Sequence, residues 1–470
     1  MRALVTCTAA LLAIACGAGS TGGIGPDAGA DGGADAGTDT ATDTDTTIDA
    51  GAPGQPLWAI RGDGLGAAYA AAAFGDGGVV VAGVFSGALD FGAGAMASAG
   101  GNDGFVARFD ADGACLWSAR FGGAGDDGAN AVAVDAAGRA LVTGSFSGTA
   151  DFGDEVLVSA GSYDVPLVAY DAAGGVAAAL GFGSPGFDVG YGIAAGPSGG
   201  VALMGASGGP IDFGGGALTG TESTFVAAFD GDLAHAWSRM LEGVIGNGLA
   251  VGAGGDVALA ADFSGTIDIG TGPISSAAST DGLAALFDGA GGTVFAARVG
   301  DGSSMSDYAV AVSPATGDVV VGGMATSQGV AESYVELDRF SPDGGAVWSR
   351  KWGVAEYAAA NAVAIGAGDV IAIAGFVRDG SIDFGCGPLD SPADTDNAYS
   401  GDMFLAALDA SGGCLWSRLF GGAGDQSAFG VAGSAGRIAV AGRFQDAVDF
   451  GLGPLLAGHF DEPCAAAFTQ

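Results

Sequence analysis

The sequence predicts an all-β ring of seven four-stranded units, closed across the chain termini, on three observations. First, a strand ending in an aromatic recurs at Trp58, Trp117, Trp237, Trp348 and Trp416, with Ala178 and Phe295 standing in two further copies. The successive spacings are 59, 61, 59, 58, 53 and 68 residues, a period that indicates a solenoid, propeller or array. Second, each unit divides at Gly/Asp turns into four strand-length runs, the pattern of antiparallel hairpins. Third, the chain opens with a lone run of the fourth type, 57–62, and stops with a run of the third type, 464–469. The opening run supplies the strand that the last unit lacks, which removes two exposed sheet edges.

Composition supports this reading. The 470 residues include 93 glycines, without the triplet period of collagen, so the glycines belong to turns. Hydrophobic residues make up 49%, enough for a core, in runs too short to cross a bilayer. The acids are 46 Asp and 7 Glu against 14 basic residues, a net charge of −39, with Lys351 the single lysine. Asp favours turns and caps, so long solvent-facing helices are not expected. A field this negative repels phosphate backbones and anionic headgroups, which excludes nucleic acid as a partner and leaves cations, basic proteins and neutral glycans.

Residues 1–15 have the shape of a signal peptide: Arg2, then the apolar run 3–15 with small residues before Cys16. Ala13-Ile14-Ala15-Cys16 resembles a bacterial lipobox in which Cys16 is lipidated, with Ala13 where Leu is usual. Gly17 after that cysteine, in place of Asp, implies an outer-membrane destination; ordinary cleavage and secretion is the alternative. Segment 16–56, with seven Asp and almost nothing large and apolar, reads as a disordered tether. As a flexible coil it spans on the order of 35 Å.

The propeller domain follows at 57–470. In the best-preserved copies the strands are A (131–134), B (140–146), C (105–109) and D (115–121). Strand A is apolar on both faces, as the innermost strand of a blade must be. Four strands per unit around a channel is the plan of a seven-bladed β-propeller. The stretch GGAGDDGANAVAVDAAGRALVTG (122–144) is similar to the SBBP-type β-propeller repeats of bacterial surface and secreted proteins. This resemblance covers nearly all of 57–470, strongest at 105–153 and 402–451 and weakest at 295–348. It implies the fold and an extracytoplasmic setting, and no agreed activity.

Asp-Phe-Gly or a close variant begins at Asp90, Asp151, Asp212, Asp268, Asp383 and Asp449. Its recurrence, with no nucleotide loop, makes it structural: Asp caps a turn, Phe fills the gap between blades, and Gly takes a positive φ. The segment 341–348, ending at Trp348, fits an Asp box, itself a structural hairpin. Arg120, Arg239, Arg298, Arg350 and Arg418 fall on strand D rather than at the channel mouth. His235 and His459 occupy unrelated repeats, and each reads as a loop residue. Cys115 and Cys414 are repeat equivalents, and Cys386 is expected on the face opposite Cys414. The topology therefore favours no disulfide, a bend of the long 386–401 loop being the one route to a pair, with Cys115, Cys414 and Cys464 as buried thiols.

The D–A and B–C loops emerge on one face and collect Asp126, Asp127, Asp188, Asp301, Asp307 and Asp425. Hard oxygen ligands in glycine-rich turns suit Ca²⁺, with Asp126, Asp127, Asp188, Asp307 and Asp425 as candidates; capping and solubility are the competing role. No catalytic or cofactor-binding residues stand out. The reading favours a non-catalytic, monomeric cell-surface lipoprotein whose propeller binds a protein or glycan. The alternatives are an extracellular carboxylate-dependent hydrolase or lyase and a Ca-dependent adhesin.

Overall fold

The computed structural model describes residues 52–470 apart from 221–222, 301–303, 327–332, 392–400, 423 and 435. Residues 1–51, with Cys16 and most of the tether, and Asp301 lie outside the described residues. The fold is an all-β propeller; among the described residues the one helix is the 3-10 turn Ala367–Asp369, and no helix is long and apolar enough to cross a membrane.

The repeats form six large antiparallel sheets rather than seven separate ones. The second repeat is typical: Gly128–Val134, Ala140–Ser145, Val165–Tyr170 and Val176–Phe182 stack in the order A-B-C-D. The fifth and sixth repeats share one sheet because the D–A connection between them is unbroken strand. Ala346–Ile365 pairs through its first half with Ser333–Phe340 and through its second with Ile371–Ile382. The A strands of consecutive repeats pack on one another, and the last, Gln426–Ser434, packs on the first, Asp63–Ala73.

The opening strand Pro56–Arg61 pairs antiparallel with the closing strand Glu462–Thr469, from Pro56 opposite Phe468 to Arg61 opposite Cys464. Trp58 is buried there, as expected for the aromatic of strand D. The turn between these strands is assembled from both termini. In an intact C–D turn, Asp110 accepts from the amides of Asp112 and Ala114, the Asp110 amide donates to Ala114 O, and the Gly113 amide donates to Asp110 O. Across the termini Thr469 takes the aspartate's place. Its amide donates to Gln55 O (2.9 Å), its carbonyl accepts from Gly54 (3.0 Å), and its hydroxyl accepts from the Gln55 amide (2.8 Å).

These turns are also the seats on which blades meet. The D-strand aromatic of one repeat lies flat on the glycine of the next repeat's C–D turn. Trp58 covers Gly113, Trp117 covers Gly174, Trp237 covers Gly291, Phe295 covers Gly344, and Trp416 covers Gly54. Gly113 has φ 86°, and a Cβ added there would lie 2.7 Å from the Trp58 ring, so no other residue fits. Trp58 and Trp117 also donate their indole N–H groups to turn carbonyls, those of Ala111 and Ala172, each at 3.2 Å.

The third repeat breaks the pattern in a compensating way. Its turn carries Leu233, with φ 62°, where the others have glycine, and the preceding repeat carries Ala178 where the others have an aromatic. Leu233 is buried in the cluster that Ala178 packs against. The volume lost from strand D is returned from the turn.

The Asp-Phe-Gly motifs behave as the sequence predicts. Asp90, for example, accepts from the amides of Gly92 and Gly94. Phe152 packs face to face on Phe121 of the preceding repeat at 5.0 Å. The Asp-box turn at Ser341 forms as expected, and Trp348 donates from its indole to Ala410 O at 3.0 Å.

Candidate functional site

Two rings of side chains recur at fixed register around the inner strands. Every A strand carries a β-bulge at the same place, and the extra residues are Tyr69, Asn130, Tyr191, Asn247, Tyr308, Asn361 and Phe429. A bulge re-aims the residue it releases. Asn130 Nδ2 donates to Gly190 O at 2.9 Å and Asn361 Nδ2 to Ala428 O at 2.8 Å. In each case the acceptor is the residue just before the next repeat's bulge. Tyr69 and Phe429 meet edge to face at 5.7 Å, joining the first repeat to the last. At these three junctions the bulge residue ties neighbouring A strands together.

The second ring lies on strand B. In every repeat five consecutive buried residues are followed by one that is only partly buried. Those positions are Val84, Ser145, Ala206, Asp262, Met324, Phe376 and Arg443. They share one register, each paired with the second residue before the bulge, and they are seven different side chains. The sequence holds this alternation of a fixed frame and a variable point, but only burial picks the point out.

The aspartates offered as calcium ligands are spread through the ring and tied into it. Asp127 is buried and accepts from the amides of Gly123 (2.7 Å) and Ser147 (2.8 Å); burial raises its pKa above the ordinary value. Its neighbour Asp126 is exposed and accepts from the Asn102 amide at 2.9 Å. Asp188 is buried under the amide and hydroxyl of Ser184 and the hydroxyl of Ser207. Asp425 accepts from Gly401 and pairs with Arg443 at 2.8 Å, and burial raises its pKa. Asp307 lies in the strand Ser304–Val312, and its side chain is outside the described residues.

A second set of carboxylates, not singled out from the sequence, stands at the start of strand C: Asp103, Asp164, Asp281 and Glu462, all buried. Each accepts amide donors from the turn just before it, as Asp281 does from Ala277 (2.6 Å) and Ala278 (3.2 Å). Three of them also meet a strand-D arginine: Arg120 at Asp103, Arg298 at Asp281 and Arg61 at Glu462. The recurring Asp-Gly-Phe or Asp-Gly-Leu at Asp103 and Asp281 was the available signal. Arg239 instead reaches the next repeat, donating to Ile269 O, Gly291 O and Thr293 Oγ1. Arg61, Arg120, Arg239 and Arg298 are therefore braces between and within blades.

Around Glu462 lies the one grouping of metal-ligating side chains found among the described residues, Asp63, His459 and Glu462. Glu462 already pairs with Arg61 at 2.7 Å and His459 Nδ1 at 3.0 Å, and Arg61 also meets Asp63 at 3.2 Å. The guanidinium holds the place in that cluster where a cation would sit. Alongside, Arg443 bridges Asp425 and Asp461, to which Gln445 also donates.

The cysteine expectation is corrected. Cys386 and Cys414 form a disulfide. The B–C connection does not stay on its own face; its Asp-Phe-Gly turn folds back onto the first residue of strand D, so that a Cβ at Gly385 would lie 3.6 Å from Cys414 Cβ. The same fold places Gly153 by Val176, and Gly214 and Gly215 by His235. His235 accordingly opens a strand, His235–Leu241, rather than lying in a loop. Cys115 and Cys464 are free thiols as expected, Cys464 buried and Cys115 only partly so. Burial raises them to about 11 and about 12, which leaves neither a ready thiolate.

No family model matches the chain, and no curated protein matches it either. Solved structures of similar shape include the Dos1 propeller (9% identity, TM-score 0.44, covering 88% of this chain and 94% of that one). Sqt1 from Chaetomium thermophilum matches with 14% identity and TM-score 0.45, over 89% of this chain and 99% of its own. Quinohemoprotein alcohol dehydrogenase from Comamonas testosteroni matches with 12% identity and TM-score 0.40, over 88% and 76%. At these identities and scores the matches assign no activity or partner.

Proposed function

We propose that this chain is a non-catalytic bacterial surface lipoprotein of the SBBP-repeat type that displays a seven-bladed propeller as a binding scaffold. The blade count takes the sheet shared by the fifth and sixth repeats as two blades. It is supported by the A-strand contacts that run through every repeat and return to the first. Closure by the opening strand is supported by its pairing with Glu462–Thr469. Anchoring through Cys16 and outer-membrane residence rest on the leader and on Gly17.

The observation that carries the binding role is the strand-B ring. A frame that repeats much of its pattern presents seven different side chains at one register position that is only partly buried. A register position that differs in every repeat on an otherwise repeating frame is what a recognition surface on a rigid scaffold requires. The loop carboxylates serve the frame, through the amide and arginine contacts already described.

Two experiments test this. Replacing Cys16 with Ala should abolish fatty-acid labelling of the precursor; unchanged labelling removes the lipoprotein reading. A binding screen of the full chain against glycans and proteins should return a ligand whose affinity falls in Phe376→Ala and Met324→Ala. A ligand indifferent to both substitutions, and to changes at the other five ring positions, removes the recognition role from this ring.

A further inference from the structure

The A–B and C–D turns gather on the face opposite the strand-B ring, and there arginines pin one blade to the next. At four boundaries a guanidinium donates to the carbonyl of the second residue in the next repeat's C–D turn. Arg437 donates to Ala111 O, Arg108 to Ala172 O (3.2 Å), Arg139 to Gly231 O (2.6 Å) and Arg339 to Ala410 O (2.9 Å). The arginine comes from one of two register positions. Arg108 and Arg339 stand next to last on strand C. Arg139 and Arg437 stand just before the strand-B residue that pairs with the end aromatic of strand C.

At the boundary between the fourth and fifth repeats neither position holds arginine. Leu286 takes the first and Asp256 the second. Here a cavity of about 230 Å³ opens, walled by Asp256 and Leu286 of one repeat and by Val312, Pro314 and Pro342 of the next. Pro342 is the second residue of its C–D turn, the counterpart of Ala410. Ala410 O also accepts from the Trp348 indole, whereas the aromatic covering the Pro342 turn is Phe295, which has no N–H. Among the described residues the Pro342 carbonyl has no donor and the Asp256 carboxylate has no partner.

The next boundary shows how such a place is filled. Asp318 stands at the register of Asp256 and accepts from Arg339 Nε at 2.8 Å, while Nη1 of the same arginine reaches Ala410 O. The fourth boundary keeps the carboxylate and the turn carbonyl, and has Leu286 where Arg339 joins them. The two remaining boundaries keep no carboxylate at these positions, which hold Gly200 and Ala228 in one and Val370 and Ala407 in the other.

We propose that this cavity binds the guanidinium of an arginine side chain on a partner protein. The apolar walls take the arginine stem, and Asp256 and the Pro342 carbonyl take its N–H fork. A chain of net charge −39 draws such a basic partner toward it. The site lies apart from the strand-B ring and goes beyond the recognition role given to that ring.

The test is calorimetric titration of the full chain with capped Gly-Arg-Gly, with capped Gly-citrulline-Gly as the neutral isostere. The arginine peptide should bind and the citrulline peptide should not. Affinity should fall about tenfold in Asp256→Asn, through loss of one charge-assisted hydrogen bond. It should be unchanged in Asp154→Asn, an exposed aspartate in another repeat with the same charge change. Leu286→Arg supplies the chain's own guanidinium, as Arg339 does at the next boundary, and should abolish binding. Asp256→Asn breaks no internal bond, so it decides the matter if Leu286→Arg fails to fold. Absence of arginine-peptide binding, equal binding of the citrulline peptide, equal affinity in the two Asn variants, or undiminished binding in Leu286→Arg overturns the site. Tighter binding of free arginine than of the capped peptide assigns the cavity to a small molecule and overturns the partner. A screened ligand that depends on Phe376 would stand through any of these outcomes.

Discussion

At the boundary between the first and second repeats, Trp117 lies on Gly174; at the next boundary, Ala178 faces Leu233. The two contacts exchange a large residue on the strand and none on the turn for the reverse. Leu233 accepts a left-handed backbone, φ 62°, to do so. That conformation costs on the order of 1 kcal/mol for a non-glycine residue, less than the about 2–5 kcal/mol of a large core cavity. What is kept constant between blades is filled volume, and the residue type follows from it. A third version, Trp416 on Gly54, spans the two ends of the chain, so the same seat also works without covalent continuity through the turn.

Removing the third version altogether should have the largest effect. A chain beginning at Gly64 lacks Pro56–Arg61, its ladder to Glu462–Thr469 and buried Trp58, and should aggregate or fail to fold at room temperature. A chain beginning at Pro56 keeps the strand but loses Gly54, Gln55 and their bonds to Thr469. It should lose about 2–4 kcal/mol in denaturant melts, from a few hydrogen bonds and the uncovered face of Trp416. A chain beginning at Ala52 should match the full chain. Equal stability of all three would remove the terminal turn from the account.

Within the ring, Trp117→Ala should cost about 3–5 kcal/mol, since it empties a seat that Gly174 cannot refill. Trp348→Ala should cost less, because Trp348 is only partly buried against its cluster. The smallest effect is that of pH. Burial holds Asp127, Asp164 and Asp425 above the usual carboxylate value of 3.8. The folded chain therefore binds their protons more tightly than the unfolded chain, and stability rises as pH falls toward their folded pKa values. Asp343 and Asp409, held low by their serine hydrogen bonds, act the other way only below 3.8. Relief of the −39 self-repulsion adds to the rise. The melting temperature should be higher at about pH 5 than at about pH 7.5; a lower one would mean that ionised carboxylates stabilise the fold overall.

The comparison also marks how much was legible in the sequence. Trp58 and its repeats, the Asp-Phe-Gly turns and the lone opening strand were readable, because each is a local pattern repeated along the chain. Ala178 was visible as a degenerate copy, but not its partner Leu233, since the two meet only when blades stack. The Cys386–Cys414 bond was missed for a similar reason: loop order places the two on opposite faces until the turn folds back over strand D. The acidic loops were visible as a composition, yet the amides that occupy Asp127 and Asp188 come from segments up to twenty residues away. The strand-B ring is invisible in the sequence, where Val84 and Phe376 look like core and Arg443 like surface.

The most direct test of the account is a double-mutant cycle at the exchanged seat. Leu233→Gly alone should lose about 2–4 kcal/mol by opening a cavity, and Ala178→Trp alone should lose a similar amount by overfilling the site. Combined, the two recreate the pairing of Trp117 with Gly174. The account predicts that the double variant recovers most of the loss, with a coupling of about 2 kcal/mol or more in denaturant melts. A double variant as unstable as the sum of the singles would contradict the claim that neighbouring blades are joined by conserved volume.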